Sequence, residues 1–278
     1  SFADVARLNR ITRIMLSRTA GPICGMVRAD RPTDDDHHRV IAASMFGNTT
    51  PCVDACRKLL EADGLEVLVF HATGTGGRTM ESLIDDGLVD ACLDITTTEW
   101  ADEICGGVFS AGDDRLSAAP RQGIPHLIVP GCVDMVNFGP PETVPAHYRE
   151  SGRTFYEWNP TVTLMRTNVE ENRRLGEVFA QKANAARGPV AFLLPLRGVS
   201  QLDADGERFC DRKADAALFD SLKQNLSPEI RVEEIDANIN DKIFAKQAVQ
   251  MLKTLLDQQS ASTPGTTGQR LSGDGDFG

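Results

Sequence analysis

The sequence predicts an α/β fold: a Rossmann-like, mostly parallel open sheet with helices on both faces. Short β-branched apolar runs alternate with helix-compatible segments and lack the polar alternation of a half-solvated sheet, so both faces need cover. Polar and glycine-rich residues gather after the strands, where open parallel sheets hold their ligands. The run Thr73-Gly74-Thr75-Gly76-Gly77 stands between apolar Val67 to Phe70 and helix-compatible Arg78 to Ile84, the setting of a strand-to-helix turn. A closed barrel would need eight regular strand and helix units, and the irregular middle of the chain does not supply them.

Taken in order, Phe2, Val5, Leu8, Ile11, Ile14 and Met15 give residues 1–17 one apolar helical face, which Thr19 to Met26 can continue despite Gly21-Pro22. Arg28 to Arg39, with Pro32 and three consecutive aspartates, reads as a connector. Val40 to Met45 is a strand, and Phe46-Gly47-Asn48-Thr49-Thr50-Pro51 turns into a helix reaching about Ala62, with Thr50 as N-cap and Pro51 at the first helical position. Glu66 to Phe70 and Val89 to Ile95 are the next strands, with Cys105 to Phe109 as a fourth and His126 to Val129 as a fifth; Asp113, Asp114 and Arg115 open a helix after Gly112. Cys132 to Asn159 breaks the rhythm and reads as a long functional loop. Thr161 to Arg166 is extended, and Asn168 with Glu171 opens a helix over Val169 to Ala186 through a capping box. Strands at Val190 to Leu194 and Arg231 to Ile235 alternate with helices at Ala214 to Asn225 and Lys242 to Leu256. The expected division is an N-terminal helix and connector (1–39), a Rossmann-like domain (40–257) and a disordered Ser/Thr/Pro/Gly-rich tail (258–278).

Twenty-nine basic residues against 40 acidic ones give a net charge of -11, which argues against nucleic acid and against an anionic membrane surface. Seven cysteines, an odd number scattered through apolar segments, match reduced usage, and no run has the length of a membrane span, so a cytoplasmic location is expected.

The glycine turn Thr73, Gly74, Thr75, Gly76 and Gly77 is expected to hold a phosphate or carboxylate on the N–H groups of the following helix; without a Gly-Lys-Ser or Gly-Lys-Thr it is no Walker loop. Gly47, Thr49 and Thr50 of the preceding turn, and Thr97, Glu99, Gly112 and Gly131, join it as ligand-binding candidates. Arg115, Arg166 and Arg197 are the expected anion clamp, with Ser200 beside the last; Ser200 lacks a signature placing a histidine next to it. His71, Asp134 and Asn137 are the catalytic candidates: an imidazole after a strand, and a carboxylate and an amide at the mouth of the long loop, can orient a hydroxylated substrate and move a proton. Each has an ordinary alternative. A histidine can be a packed core group, threonines can cap helices, and arginines can be solvated. No metal site is expected: Cys52 and Cys56 share a helix face, with no second pair to complete a ligand set. The cofactor is open, with ATP and magnesium as candidates, since magnesium held by nucleotide phosphates leaves little trace in sequence.

Long runs in order carry a resemblance: Ser44 to Cys52 (SMFGNTTPC), Phe70 to Glu81 (FHATGTGGRTME), Asp94 to Glu99 (DITTTE), Gly131 to Gly139 (GCVDMVNFG), Asn159-Pro160, Thr163 to Thr167, Leu194 to Ser200 and Ile239 to Asp241. Over roughly residues 1–257 the chain resembles the UPF0261 family of Tm-1-like, ATP-binding-domain proteins, one of which inhibits tobamovirus RNA replication. The resemblance implies an α/β architecture, self-association into a homo-oligomer, and a further α/β domain preceding this region. The family's nucleotide site is placed in that preceding domain, so ATP binding does not pass to Gly74, Gly76 and Gly77. The leading expectation is an enzyme domain acting by acid/base chemistry on a small anionic, hydroxylated molecule; the alternative is an ATP-binding regulatory or interaction protein.

Overall fold

The computed structural model describes residues 9–29 and 38–262. The expected first helical turns, most of the connector and the tail beyond Ser262 lie outside them. Residues 1–37 form one unit and residues 38–278 another. In the first, helix α1 (Arg10–Arg28) starts at Asn9, whose side chain accepts the Thr12 N–H at 2.9 Å, and runs through Pro22.

The second unit runs β1 (Val40–Met45), α2 (Thr50–Ala62), β2 (Glu66–His71), α3 (Thr75–Asp85), β3 (Ala91–Thr96), α4 (Glu99–Cys105), α5 (Ala118–Gln122), β4 (His126–Gly131), β5 (Met135–Phe138), α6 (Ala146–Arg149), β6 (Phe155–Asn159), β7 (Val162–Arg166), α7 (Val169–Asn184), β8 (Val190–Pro195), α8 (Arg212–Asn225), β9 (Arg231–Ile235) and α9 (Lys242–Ser262). Six of these strands form one parallel sheet in the order β2-β1-β3-β4-β8-β9. The chain leaves β1 toward β2 on one side and returns to β3 on the other, which opens a crevice at the carboxyl end of β1.

The period-2 alternation of strand side chains builds two cores. Ile41, Ala43, Leu93, Ile95, Leu127, Val129, Ala191 and Leu193 pack against α2 and α9. On the opposite face Ile128, Phe192 and Leu194 meet α7 and α8, while Ala42 and Cys92 meet α3 and α5. The central strands β3 and β4 are buried along their whole length, as the continuous apolar runs require. The expected mostly parallel, doubly covered sheet is thus the observed one. Among the described residues no helix is long and apolar enough to cross a membrane.

Four expectations are corrected. Cys105 to Phe109 is not a strand: α4 ends at Cys105, where Gly106 takes a left-handed conformation (φ 73°) and turns the chain. Asp113 to Arg115 form turns, and the helix starts later, at Ala118. The long loop is in large part a second sheet, β5-β7-β6, antiparallel, with β5 pairing Asn137 to Leu164 and β6 pairing Tyr156 to Leu164. This small sheet lies between β4 and β8 in sequence and supplies one wall of the site described next. The last helix also runs beyond its expected end at Leu256, to Ser262.

Candidate functional site

The glycine turn after β2 is filled by the protein itself. Glu99, 1% exposed at the start of α4, accepts the Gly74 N–H at 2.7 Å and the Gly77 N–H at 3.1 Å through one carboxylate oxygen. Its other oxygen takes Arg115 Nε at 2.7 Å. An anion does sit at the start of α3, and it is a side chain of the same chain. The glycines are required by packing: a methyl group on Gly76 would collide with the His71 carbonyl, one on Gly77 with the Glu99 carboxylate, and one on Gly74 (φ 80°) would lie 2.6 Å from the Ser110 carbonyl.

Arg115 is 1% exposed and cannot clamp a ligand. Its guanidinium also binds Glu81 at 3.0 Å and Asp94 through both terminal nitrogens. Glu81 caps the other side of the turn, accepting the N–H groups of Leu116 and Ala118 at 2.7 Å each. That fixes Leu116 at φ 67°, a costly conformation for a side chain of its kind. Burial alone would raise the Asp94 carboxyl, but Arg115 and the hydrogen bond to His126 Nε2 at 3.0 Å outweigh it and hold Asp94 well below the usual carboxylate range. Among the described residues Cys92, Asp94 and His126 form a trio at metal-ligand spacing. The guanidinium already occupies both Asp94 oxygens, so the donor set fits a buried ion pair and not a cation.

Arg166 and Arg197 likewise do not join a clamp. Arg166, 5% exposed, donates to Asp215 at 2.6 Å, to Asp203 at 3.3 Å and to the Phe209 carbonyl at 2.6 Å. Arg197 lies at the surface and pairs with Asp236 at 2.7 Å. Ser200 donates to Asp134 Oδ2 at 2.8 Å and accepts the Asp203 N–H at 3.1 Å, and both Ser200 and Asp134 are 0% exposed. Burial pushes the carboxyls of Asp134 and Asp203 up, against the pull of Arg166. The expected threonines are also satisfied internally. Thr49 bonds Thr96 at 2.7 Å, Thr50 the Phe46 carbonyl at 3.2 Å, and Thr97 the Val129 carbonyl at 3.2 Å. Thr75 is exposed and receives Arg78 at 3.5 Å. Gly112 (φ 86°) serves a turn, and a methyl on Gly131 would collide with the Ile95 carbonyl.

The cleft lies instead at the carboxyl ends of β1 and β2, against the small sheet. It measures about 210 Å³ and is lined by Phe46, Gly47, Asn48, His71, Thr73, Phe109, Asn137, Trp158, Asn159, Val162 and Leu164. Four expected residues therefore meet there: Gly47, His71, Thr73 and Asn137. His71 stacks on Phe46 with ring centroids 5.4 Å apart, and Phe109 meets Phe46 edge-on at 6.1 Å. No lysine or arginine lines the cleft. Asp134, the third catalytic candidate, is not among its walls.

Asn137 is 0% exposed, and its carbonyl oxygen Oδ1 has no partner, whereas most buried polar atoms have one. Asp102 sets this orientation. It takes the backbone N–H of Asn137 at 2.7 Å, the Asn137 side-chain amide at 3.3 Å, and the N–H of Phe109 at 2.8 Å. One carboxylate thus holds two walls of the cleft. Burial pushes Asp102 up to about 7, even though the N–H groups of Asn137 and Phe109 oppose it. Gly47 has neither a left-handed conformation nor a neighbour within 4 Å of an added methyl. Nothing in the protein requires a glycine there, and the bare backbone faces the cleft.

Sequence reasoning missed Phe46, Asn48, Phe109, Trp158, Asn159 and Asp102. Phe46 and Asn48 flank Gly47 directly after a strand, and that position was the available signal; Trp158 and Phe109 come to the site only through the small sheet and the turn after α4. A larger depression of about 370 Å³ opens at the amino ends of β8 and β9, around Val190 and Arg231, away from every expected site residue.

A family model described as the C-terminal domain of an uncharacterised protein family (UPF0261) matches residues 38–256. A UPF0261 protein of Clostridium tetani is 45% identical over 258 residues, covering 92% of this chain and 63% of the relative. One of Rhizobium meliloti is 48% identical over 252 residues, 90% of this chain and 62% of the relative. The ToMV resistance protein Tm-1(GCR237) of Solanum lycopersicum is 39% identical over 256 residues, 90% of this chain and 34% of the relative. The chain thus spans less than two thirds of the length of these relatives. Among solved structures, the esterase domain of a Rhodothermus marinus protein superposes with a TM-score of 0.44 at 14% identity, over 82% of this chain and 90% of that one.

Proposed function

The chain belongs to the UPF0261 family, and from that premise we propose that its α/β module binds a small organic ligand in the cleft after β1 and performs acid/base chemistry on it with His71. The carrying observation is the buried, unpartnered Oδ1 of Asn137 in the cleft wall. An acceptor without a partner costs stability, and a ligand O–H or N–H would satisfy it. The flat part of the ligand lies against Phe46, Phe109 and Trp158. A single carboxylate lies beside His71, on the N–H groups of Gly47 and Asn48 in the short 3-10 turn Gly47–Thr49 that precedes α2. This narrows the expected anionic ligand: one negative group is supported by the geometry, and a polyphosphate facing no lysine or arginine is not. Hydrolysis and carbon–oxygen or carbon–carbon cleavage all fit a proton carrier in this place. In the longer relatives the preceding part of the chain would complete or regulate the site.

The aromatic walls support a second reading, in which the flat part is a nucleotide base and the protein is a regulatory or interaction protein, in line with its likeness to a tomato virus-resistance protein. Heat stabilisation against aryl and hydroxy acids, nucleosides and sugar phosphates, repeated on His71→Gln, separates the two. The enzyme reading expects an acid to bind and His71→Gln to keep binding while losing turnover. A nucleoside as the sole hit, with no turnover by either form, supports the second reading. A hit unaffected by Asn137→Leu rejects the cleft itself.

A further inference from the structure

We propose that the outer face of β6 and β7 carries a second binding site, for a free α-amino acid with an apolar side chain. Strand alternation divides the small sheet cleanly. Trp158, Val162 and Leu164 line the cleft already described, and the intervening Phe155, Glu157 and Thr163 point to the opposite face. There they line a separate concavity of about 220 Å³ with Pro141, Val144 and Arg149.

Three polar groups meet in it without partners. Thr163 is 2% exposed, and its hydroxyl makes no hydrogen bond, although a buried hydroxyl normally has one. Arg149 and Glu157 have opposite charges and line the same concavity, yet they form no ion pair with each other within 4.0 Å and none with another described residue. Nearby, Arg153 pairs with Glu171, and Arg166 with Asp203 and Asp215.

A cation and an anion that line one apolar-walled depression without pairing with each other are complementary to a ligand that carries both charges on neighbouring atoms. The guanidinium offers paired donors to a carboxylate, and the Glu157 carboxylate accepts from an ammonium. The Thr163 hydroxyl can bond either group, and Pro141, Val144 and Phe155 receive a hydrocarbon side chain. A simple anion would leave Glu157 opposed to it, and a simple amine would leave Arg149 so. The site stands back to back with the cleft, so an occupant would bear on the sheet that forms the cleft wall.

Isothermal titration of the whole chain with L-leucine, 4-methylpentanoate and 3-methylbutylamine tests this, the last two being the two halves of the zwitterion. Saturable binding of L-leucine is expected, with each half-ligand weaker by at least about tenfold. Arg149→Gln and Glu157→Gln, both at exposed and unpaired positions, should each abolish L-leucine binding without unfolding the chain. Thr163→Val should weaken it about fivefold. Gly47→Ala, in the other cavity, should leave it unchanged. Absence of saturable binding by L-leucine, equal binding of 4-methylpentanoate, or unaltered L-leucine affinity in either charge variant would overturn the proposal.

Discussion

The turns after β1 and β2 look alike in sequence and differ in what they hold. Thr73 to Gly77 is the richer motif, but its N–H groups are taken by Glu99, and methyl groups on Gly76 and Gly77 would strike the chain's own atoms. Phe46-Gly47-Asn48 is the plainer one, yet Gly47 faces open space in a cleft whose buried Asn137 acceptor is unpartnered. A glycine that the protein itself fills reports on packing; a glycine with empty space before it reports on a ligand. Charge follows the same division. Behind the closed turn Arg115 holds Asp94 down, and behind the open one Asp102 forms no ion pair among the described residues and is raised by burial.

The largest test removes the cation from the closed turn. Arg115→Met leaves Glu81, Asp94 and Glu99 buried together and should cost about 3–5 kcal/mol in urea denaturation. A loss below about 1 kcal/mol would mean that the network is not what fills the turn. Should that variant fail to fold, Glu99→Gln, which keeps the shape and removes a charge, provides a milder version with the same sign.

Next in size is Gly76→Ala, whose methyl meets the His71 carbonyl and should destabilise by about 1–3 kcal/mol. Its counterpart Gly47→Ala should stay within about 0.5 kcal/mol of the parent while lowering affinity for whatever compound binds the cleft. If the two alanines have equal effects on stability, the distinction between the turns collapses.

The pH dependence sharpens the contrast in charge. Asp102 binds its proton more tightly folded, at about 7, than unfolded near the ordinary 3.8, so its contribution is fully present below the unfolded value and is lost as pH rises through 7. Asp94 is the reverse: its contribution is present above the ordinary carboxylate range and is lost as pH falls below it. The buried Asp134 and Asp203, also raised, add to the loss on the alkaline side. Unfolding free energies from urea titrations should therefore fall between about pH 5 and 8 by an amount on the order of 1–3 kcal/mol, and a flat profile there would contradict the Asp102 assignment.

Much of the large sheet was legible because most of its strands are apolar runs flanked by turn residues, β9 (Arg-Val-Glu-Glu-Ile) being the exception. The bounds of β1 and β9 agree with the structure, and β2, β3, β4 and β8 differ by one or two residues at their ends. Of the small sheet only β7 was legible, as the extended Thr161 to Arg166. Met135 to Phe138 is four residues long and wholly buried, without alternation, and β6 follows a proline-rich stretch, so only the pairing with β7 makes these segments strands. His71, Gly47, Thr73 and Asn137 could be picked out because they follow strands or stand beside the long segment. The arginines misled for a physical reason. Sequence shows that an arginine in an acidic chain needs an anion, but the anions that answer Arg115 and Arg166 lie 16 to 49 residues away, and only the fold brings them together.

The most direct test of the central claim is amide chemical-shift mapping of the isotope-labelled chain with the compound that stabilises it most. The largest changes are expected at Gly47, Asn48, His71, Phe109 and Asn137 and at the Trp158 indole, with Gly74 to Gly77 little altered. Changes concentrated at Gly74, Gly76 and Gly77, with Glu99 displaced from their N–H groups, would contradict it and return the site to the glycine run.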